Sequence, residues 1–383
     1  MSTHWLHFAV AAAMASAAPG AFAKNALNDT GMLNCLSSGG QLTTSCANTG
    51  QDGEFGRDIT QPRADNGKAG FAFERMCNSG ELAGQGACPA TPALGTQPND
   101  WGCTFDKVTR LLWEVKTADG GLRDYRKVYT DYGDKRAGDV SRYPAAVNKT
   151  GLCGRKNWHL PTPADLLTIV DHGAIAPAPL IDLQWFPNTV GNASWTGVGQ
   201  VNIEEQAWAV NFSWGSVGPA QRHFQLGARL VSKAISPTAS RFTANGDEVI
   251  DNRTGLVWRR CSEGQTWDGS TCVGTATAFN GWHGALARAR SEAQRTGQGW
   301  RMPNAKEHFS IVDPAHAQPA IDPVFPNTPG DYCSWTSTPE SSLTDDTMPW
   351  SVRCIAFNEG GLYATSFMDE GNPRWLRLVR NAK

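Results

Sequence analysis

Ten cysteines, a run of arginines and lysines interleaved with tyrosines, and eight histidines are the side chains in this sequence whose types could do chemistry. The cysteines are even in number and permit five disulfides. Cys35/Cys46, Cys77/Cys88 and Cys261/Cys272 each enclose ten residues with glycines near the midpoint, the spacing of a disulfide that clasps a hairpin or loop. Zinc is a poor fit because no Cys-x-x-Cys and no His pair at ligand spacing occurs. No Gly-x-Ser-x-Gly, His-Glu-x-x-His, phosphate-binding loop or dinucleotide fingerprint is present either. His159, His172 and His308 adjoin a Leu/Met-Pro helix start and read as structural or surface residues. The sequence therefore indicates no catalytic residue, no metal ligand and no cofactor.

Gln97-Pro98-Asn99-Asp100-Trp101 carries part of a calcium-lectin pattern, but no Trp-Asn-Asp follows it. Asp65-Asn66-Gly67 and Asn245-Gly246-Asp247 read as turns. The candidate ligand-binding set is Arg123, Tyr125, Arg126, Lys127, Tyr129, Tyr132, Lys135 and Arg136, a mixture suited to stacking on sugars and pairing with anions. It lies in the one basic part of the chain: residues 101–239 hold 15 basic and 12 acidic side chains, against 14 and 16 in 240–383 and 5 and 8 in 1–100. The whole-chain net charge of −2 hides this asymmetry and argues against a nucleic-acid partner.

Residues 6–18 form an apolar run followed by Ala21-Phe22-Ala23, the signature of a cleaved signal peptide, 1–23. No other stretch reaches the length of a membrane span. The expected location is the periplasm, the outer surface or the medium, where disulfides persist.

An internal duplication supplies the elements that must position these groups. Thr109–Trp113 recurs as Thr254–Trp258, Trp158–Thr162 as Trp300–Asn304, Phe186–Thr189 as Phe325–Thr328, Ser194–Thr196 as Ser334–Thr336, Trp208–Val210 as Trp350–Val352, and Arg229–Val231 as Arg377–Val379. The blocks keep their order at offsets of 139 to 148 residues, so two copies of one domain follow a lead-in: 24–100, then 101–235, then 240–383. Cys103 and Cys153 occur only in the first copy and Cys333 and Cys354 only in the second, which pairs each set as a disulfide. Each copy is expected to hold two short helices and a twisted antiparallel sheet, an α+β arrangement. One helix spans 282–295 with a shorter partner near 143–148, and another starts at capping boxes Thr162/Asp165 and Asn304/Glu307 and runs toward Gly173 or Pro314. The repeated tryptophans read as core; Trp185, Trp214, Trp267 and Trp375 do not repeat and are the better candidates for exposed contacts.

The block order, Thr-Gly-Leu-x-Trp, Trp-Arg-Leu-Pro-Thr, Phe-Pro-Asn-Thr, Trp-Thr, Trp-x-Val and Leu-Val-Arg, closely resembles the Lcl C-terminal domain family, named for the Legionella collagen-like adhesin. Departures fall at Arg110, His159, Met302 and Asn304. Asn28-Asp29-Thr30-Gly31, Gln51-Asp52-Gly53 and Gly56-Arg57-Asp58 resemble the lead-in of exported members. The resemblance implies two tandem C-type-lectin-like domains related to formylglycine-generating enzymes, and a non-enzymatic binding or adhesion role toward a polysaccharide or an envelope protein. The alternative is a structural or assembly part of a surface appendage. Oxidase chemistry of the formylglycine-generating kind would need two reactive cysteines, and every cysteine here has a disulfide partner to hand.

Overall fold

The computed structural model describes residues 27–64, 66–175, 179–233, 240–341, 351–367 and 374–382. The expected signal peptide at 1–23 and the repeated Trp350 lie outside the described residues. All five expected disulfides form: Cys35–Cys46, Cys77–Cys88, Cys103–Cys153, Cys261–Cys272 and Cys333–Cys354. The architecture is mixed α+β, mostly sheet with short helices. No helix among the described residues is long and apolar enough to cross a membrane.

Local chemistry explains the helices. Trp282, Ala285, Leu286 and Ala289 put one apolar stripe of the helix Trp282–Thr296 into the core, and Gly297 ends it in the left-handed conformation at φ 65°. The copy-one partner, Tyr143–Thr150, buries only Tyr143 and Val147 and is half as long. Both Leu/Met-Pro segments start with reciprocal capping boxes. Asp165 N donates to Thr162 Oγ1 at 3.1 Å and Glu307 N to Asn304 Oδ1 at 2.8 Å, with each carboxylate returning to the cap's backbone N–H. These helices are shorter than the sequence suggested, Pro163–Leu167 and Ala305–Ser310. The β-branched pairs Ile169-Val170 and Ile311-Val312 follow at once and are drawn into the core, which pulls the chain off the helical path.

Each copy has a four-stranded antiparallel sheet in which the chain's last strand returns to pair with the third. In copy two the order is Phe242–Asn245, Glu248–Asp251, Leu256–Arg259, Val379–Asn381. In copy one it is Phe73–Cys77, Trp101–Asp106, Leu112–Glu114, Val231–Ser232. Phe73 therefore does for copy one what Phe242 does for copy two. Phe73 meets Phe186 edge-on at 5.2 Å and 88°, and Phe242 meets Phe325 edge-on at 5.4 Å and 83°. The first strand of copy one thus lies inside the stretch 24–100 that the sequence set aside as a lead-in, and copy one begins before residue 101. The insertion 78–100, clasped at its start by Cys77–Cys88, separates that strand from the next and hides it from any search at a fixed offset.

The two copies are fused rather than strung. Strands Ala193–Gly199, Gln206–Asn211 and Ser216–Gln221 of copy one continue into Gly361–Ser366, Ser351–Ala356 and Cys333–Pro339 of copy two as one sheet, joined where Val217 pairs with Leu362. One apolar cluster spans the junction and includes Trp113, Leu166, Trp208 and Val217 with Trp258, Phe309, Ile355 and Leu362. The Trp208 ring packs edge-on to Phe309 at 6.5 Å. Gly360 turns beside it at φ 85°, where a Cβ would come within 3.0 Å of the Trp208 ring and 2.8 Å of Val312.

Of the described repeated tryptophans, Trp113, Trp158, Trp195, Trp208, Trp258, Trp300 and Trp335 are all buried. Trp185 is buried too, and Trp267 and Trp375 are half-buried, so of the four unrepeated candidates only Trp214 is exposed, at 51%. Trp267 is covered by the Arg260 guanidinium 3.6 Å from its ring centre.

Because the junction core is common property, Trp208→Ala should destabilise both copies together. The expected loss is about 3–5 kcal/mol, read in urea as one shifted transition that coincides by fluorescence and circular dichroism; two separate transitions would contradict a shared core. A pH effect follows from His308, which is fully buried, faces Trp258 at 5.9 Å and bonds the Trp335 carbonyl through Nδ1 at 3.2 Å. Burial, and then the Arg377 guanidinium, push its pKa from 6.5 down to about 3. The unfolded chain takes up this proton near pH 6.5 and the folded chain refuses it, so the contribution is intact above pH 6.5 and is lost as pH falls toward 3. His308→Phe should flatten that part of the stability profile, on the order of 4 kcal/mol across the window.

Candidate functional site: a cationic cleft in copy one

The candidate site is a cleft of about 280 Å³ on copy one. Its floor is set by strands and one turn. Lys116 follows the strand Leu112–Glu114, Ser194 sits on Ala193–Gly199, and Arg229 follows the short strand Gly227–Ala228 that pairs in parallel with it. Asn188 and Thr189 come from the Phe-Pro-Asn-Thr turn, where Asn188 adopts φ 57°, a left-handed conformation that asparagine tolerates. Tyr125, Arg126, Lys127 and Val128 form the rim.

The floor is electrostatically organised around Glu114, which is fully buried. Lys116 Nζ donates to Glu114 Oε1 at 3.0 Å and to the Tyr143 hydroxyl at 2.9 Å, and Tyr143 in turn donates to Glu114. Leu230 N donates to the second carboxylate oxygen at 2.9 Å. Arg229 reaches the Glu114 carbonyl and Thr189 Oγ1, both at 2.6 Å. Lys116 thus holds the Glu114 carboxylate while Arg229 holds its backbone carbonyl, and burial pushes the Lys116 pKa down, with Glu114 opposing it. The rim adds Arg126, whose guanidinium pairs with Asp124 at 2.7 Å, and Lys127, which is exposed. The lining contains four basic side chains and no carboxylate. Ser194 Oγ is buried in the wall with no hydrogen-bond partner among the described residues. Such a cleft can accept an anion, donate hydrogen bonds to it and stack a ring on Tyr125.

The eight residues singled out from sequence are not brought together. Tyr125, Arg126 and Lys127 line the cleft. Tyr132, Lys135 and Arg136 occupy a separate exposed loop, with Arg136 over the Tyr132 ring at 4.0 Å and paired with Asp134. Arg123 is buried and Tyr129 half-buried, and neither lines the cleft. Arg123 is 7% exposed, and its guanidinium donates to the carbonyls of Gly102, Val115 and Gly95 and to Asn78 Oδ1 at 2.9–3.2 Å, stitching the inserted loop to the sheet. Tyr129 stacks on Tyr143 at 5.2 Å and its carbonyl accepts from Trp195 Nε1. Sequence reasoning missed Lys116, Asn188, Ser194 and Arg229, since three of these belong to repeated blocks and read as framework. The Gln97–Trp101 stretch is a turn closed by Gln97 N donating to Asp100 Oδ2 at 2.9 Å. Asn245-Gly246-Asp247 is a hairpin turn, and Asp65 lies outside the described residues.

Copy two repeats the frame but not the cleft. Arg377 bonds the carbonyls of Arg259 and Arg260 and donates to Thr328 Oγ1, as Arg229 does with Glu114 and Thr189. In place of Lys116 stands Cys261, and the hairpin it clasps lies across Asn327, whose Nδ2 donates to the Cys272 carbonyl at 2.7 Å. A wider cavity nearby, about 530 Å³, is lined by Arg259, Arg288 and Arg295 together with Asp247, Glu263 and Glu292, which pair with them.

The model of the Lcl C-terminal domain matches residues 102–232 and again 247–380. The chain belongs to the Lcl C-terminal domain family. Its two matched segments lie in the two copies described above, so this Lcl C-terminal domain protein carries the family's frame twice, with the first strand of each copy ahead of the matched range. No curated protein matches the chain.

The two kinds of arginine here should separate on mutation. Arg123→Ala strands its acceptors and should cost about 3 kcal/mol in urea unfolding, whereas Lys127→Ala should stay within about 0.5 kcal/mol of the parent.

Proposed function

We propose that this exported Lcl C-terminal domain protein is a non-enzymatic binding or adhesion module whose copy-one cleft takes an acidic polysaccharide. The observation that carries the reading is the cleft's lining, four basic side chains with no carboxylate, an unpartnered buried Ser194 hydroxyl and Tyr125 at the rim. Sulfate and carboxylate groups on a glycan pair with guanidinium and ammonium groups, and a tyrosine face accepts the apolar side of a sugar ring. The C-type-lectin-like relationship implied by the sequence points the same way. Five disulfides suit an extracytoplasmic setting. Copy two, whose corresponding turn is covered by the clasped hairpin, serves as the structural partner of copy one in this reading.

The test is binding to immobilised heparin and to an acidic glycan array across a salt series. Affinity should fall as salt rises, and the double change Arg126→Glu with Lys127→Glu should weaken binding about tenfold or more, a loss of roughly 1.4 kcal/mol, at unchanged melting temperature. Absence of binding to any acidic glycan at low salt would reject the proposal.

A further inference from the structure

The segment 28–58 docks on the junction and brings three carboxylates, Asp29, Asp52 and Asp58, to one point. One oxygen from each lies within 4.8 Å of the other two, and all three residues are buried. Two of them are held in place by hydrogen bonds. Asp29 Oδ1 accepts from Thr30 N at 3.0 Å and from Asn304 Nδ2 of copy two at 2.9 Å, and its Oδ2 accepts from the backbone of Arg57 and Asp58. Asp52 Oδ2 accepts from Thr30 Oγ1 at 2.7 Å and from Thr338 Oγ1 of copy two at 2.6 Å. Asp58 is different. Its exposure is 0%, and neither carboxylate oxygen has a hydrogen-bond partner among the described residues.

A buried carboxylate with no donor needs either a proton or a cation. The nearby ammonium of Lys306 is committed to the carbonyls of Asp29 and Thr168, at 2.7 and 3.0 Å, and Arg301 is held by both oxygens of Glu307. Among the described residues neither cation therefore bonds a carboxylate oxygen of Asp29, Asp52 or Asp58. The backbone is shaped for this convergence. Gly56 sits at φ 100° where a Cβ would come within 2.0 Å of Asp29 Oδ2, and a Cβ on Gly53, next to Asp52, would collide with the Cys35–Cys46 bridge.

We propose that Asp29, Asp52 and Asp58 bind a calcium ion that clasps the segment 28–58 to copy two. The donors are all hard oxygens, with neither histidine nor cysteine in the cluster, which selects against zinc and copper. Calcium is taken into cages of protein oxygen, whereas magnesium keeps several waters that a buried site of this kind does not favour. Since Asp29 and Asp52 also bond Asn304 and Thr338, the ion would lock the lead-in onto copy two.

The experiment is native mass spectrometry and thermal unfolding of the full chain at pH 8 in EGTA, in calcium and in magnesium, each ion at about 1 mM. The proposal expects one calcium per chain, a melting temperature several degrees higher in calcium than in EGTA, and a smaller shift in magnesium. Asp58→Asn, a neutral isostere that needs no cation, should remain folded and lose both the bound ion and the shift; Asp52→Asn serves if that variant does not fold. No bound calcium and equal melting temperatures in EGTA and calcium would overturn the site in favour of protons, in which case Asp58→Asn stabilises the chain at pH 8. A calcium response retained by both variants would overturn it as well.

Discussion

The burial of one apolar surface common to both copies is the constraint on which the rest of the structure depends. A half-size unit with Trp208, Val217, Phe309 and Leu362 on its face cannot hide them alone. The sheet solves this by continuing from copy to copy at Val217 and Leu362, which removes an open edge from each half. Once that sheet is fixed, the capped helices Pro163–Leu167 and Ala305–Ser310 come together over it, and their capping residues face the junction. Asn304 is then both a helix cap and a partner of Asp29.

Within this frame, duplication separates maintenance from specialisation. Arg229 and Arg377 make equivalent bonds to a carbonyl and to a threonine hydroxyl, and Thr196 and Thr336 each bond a neighbouring strand's carbonyl, to Trp208 and Arg353. Bonds made twice belong to the frame. Differences between the copies sit around them. Where copy one has Lys116 and an open cleft, copy two has Cys261 and a clasped hairpin; where copy one inserts 78–100 and pins it with Arg123, copy two has a short turn at Gly246.

Charge is placed with the same economy of position. Buried ionic groups are costly unless each finds its partners, and most here do: Glu114 with Lys116, Arg353 with Glu340, Arg301 with Glu307. Asp58 lacks such a partner among the described residues, and the Ser194 hydroxyl in the cleft wall is one of several neutral groups that do as well. A buried group left without a partner is where an outside ligand gains most, because binding removes a desolvation penalty already incurred in folding.

The sequence by itself determined what depends on near neighbours and on repetition. Disulfides across ten-residue loops, the capping boxes, the amphipathic stripe of 282–295 and the seven buried repeated tryptophans were all legible, since their physics is local or appears twice. Tertiary structure alone decided which side of a residue faces the interior and which distant segments meet. Arg123 and Tyr129 looked like surface ligands because their composition is that of a surface, yet the carbonyls of Gly95, Gly102 and Val115 hold Arg123 inside and the ring of Tyr143 covers one face of Tyr129. The Phe73–Cys77 strand was concealed by an insertion that shifts its register with the repeat. Asp29, Asp52 and Asp58 carried no common pattern, for the partners that position them, Asn304 and Thr338, lie 275 and 286 residues away along the chain from the aspartates they hold. Only the docking of the segment 28–58 against copy two brings those hydroxyl and amide groups to the carboxylates.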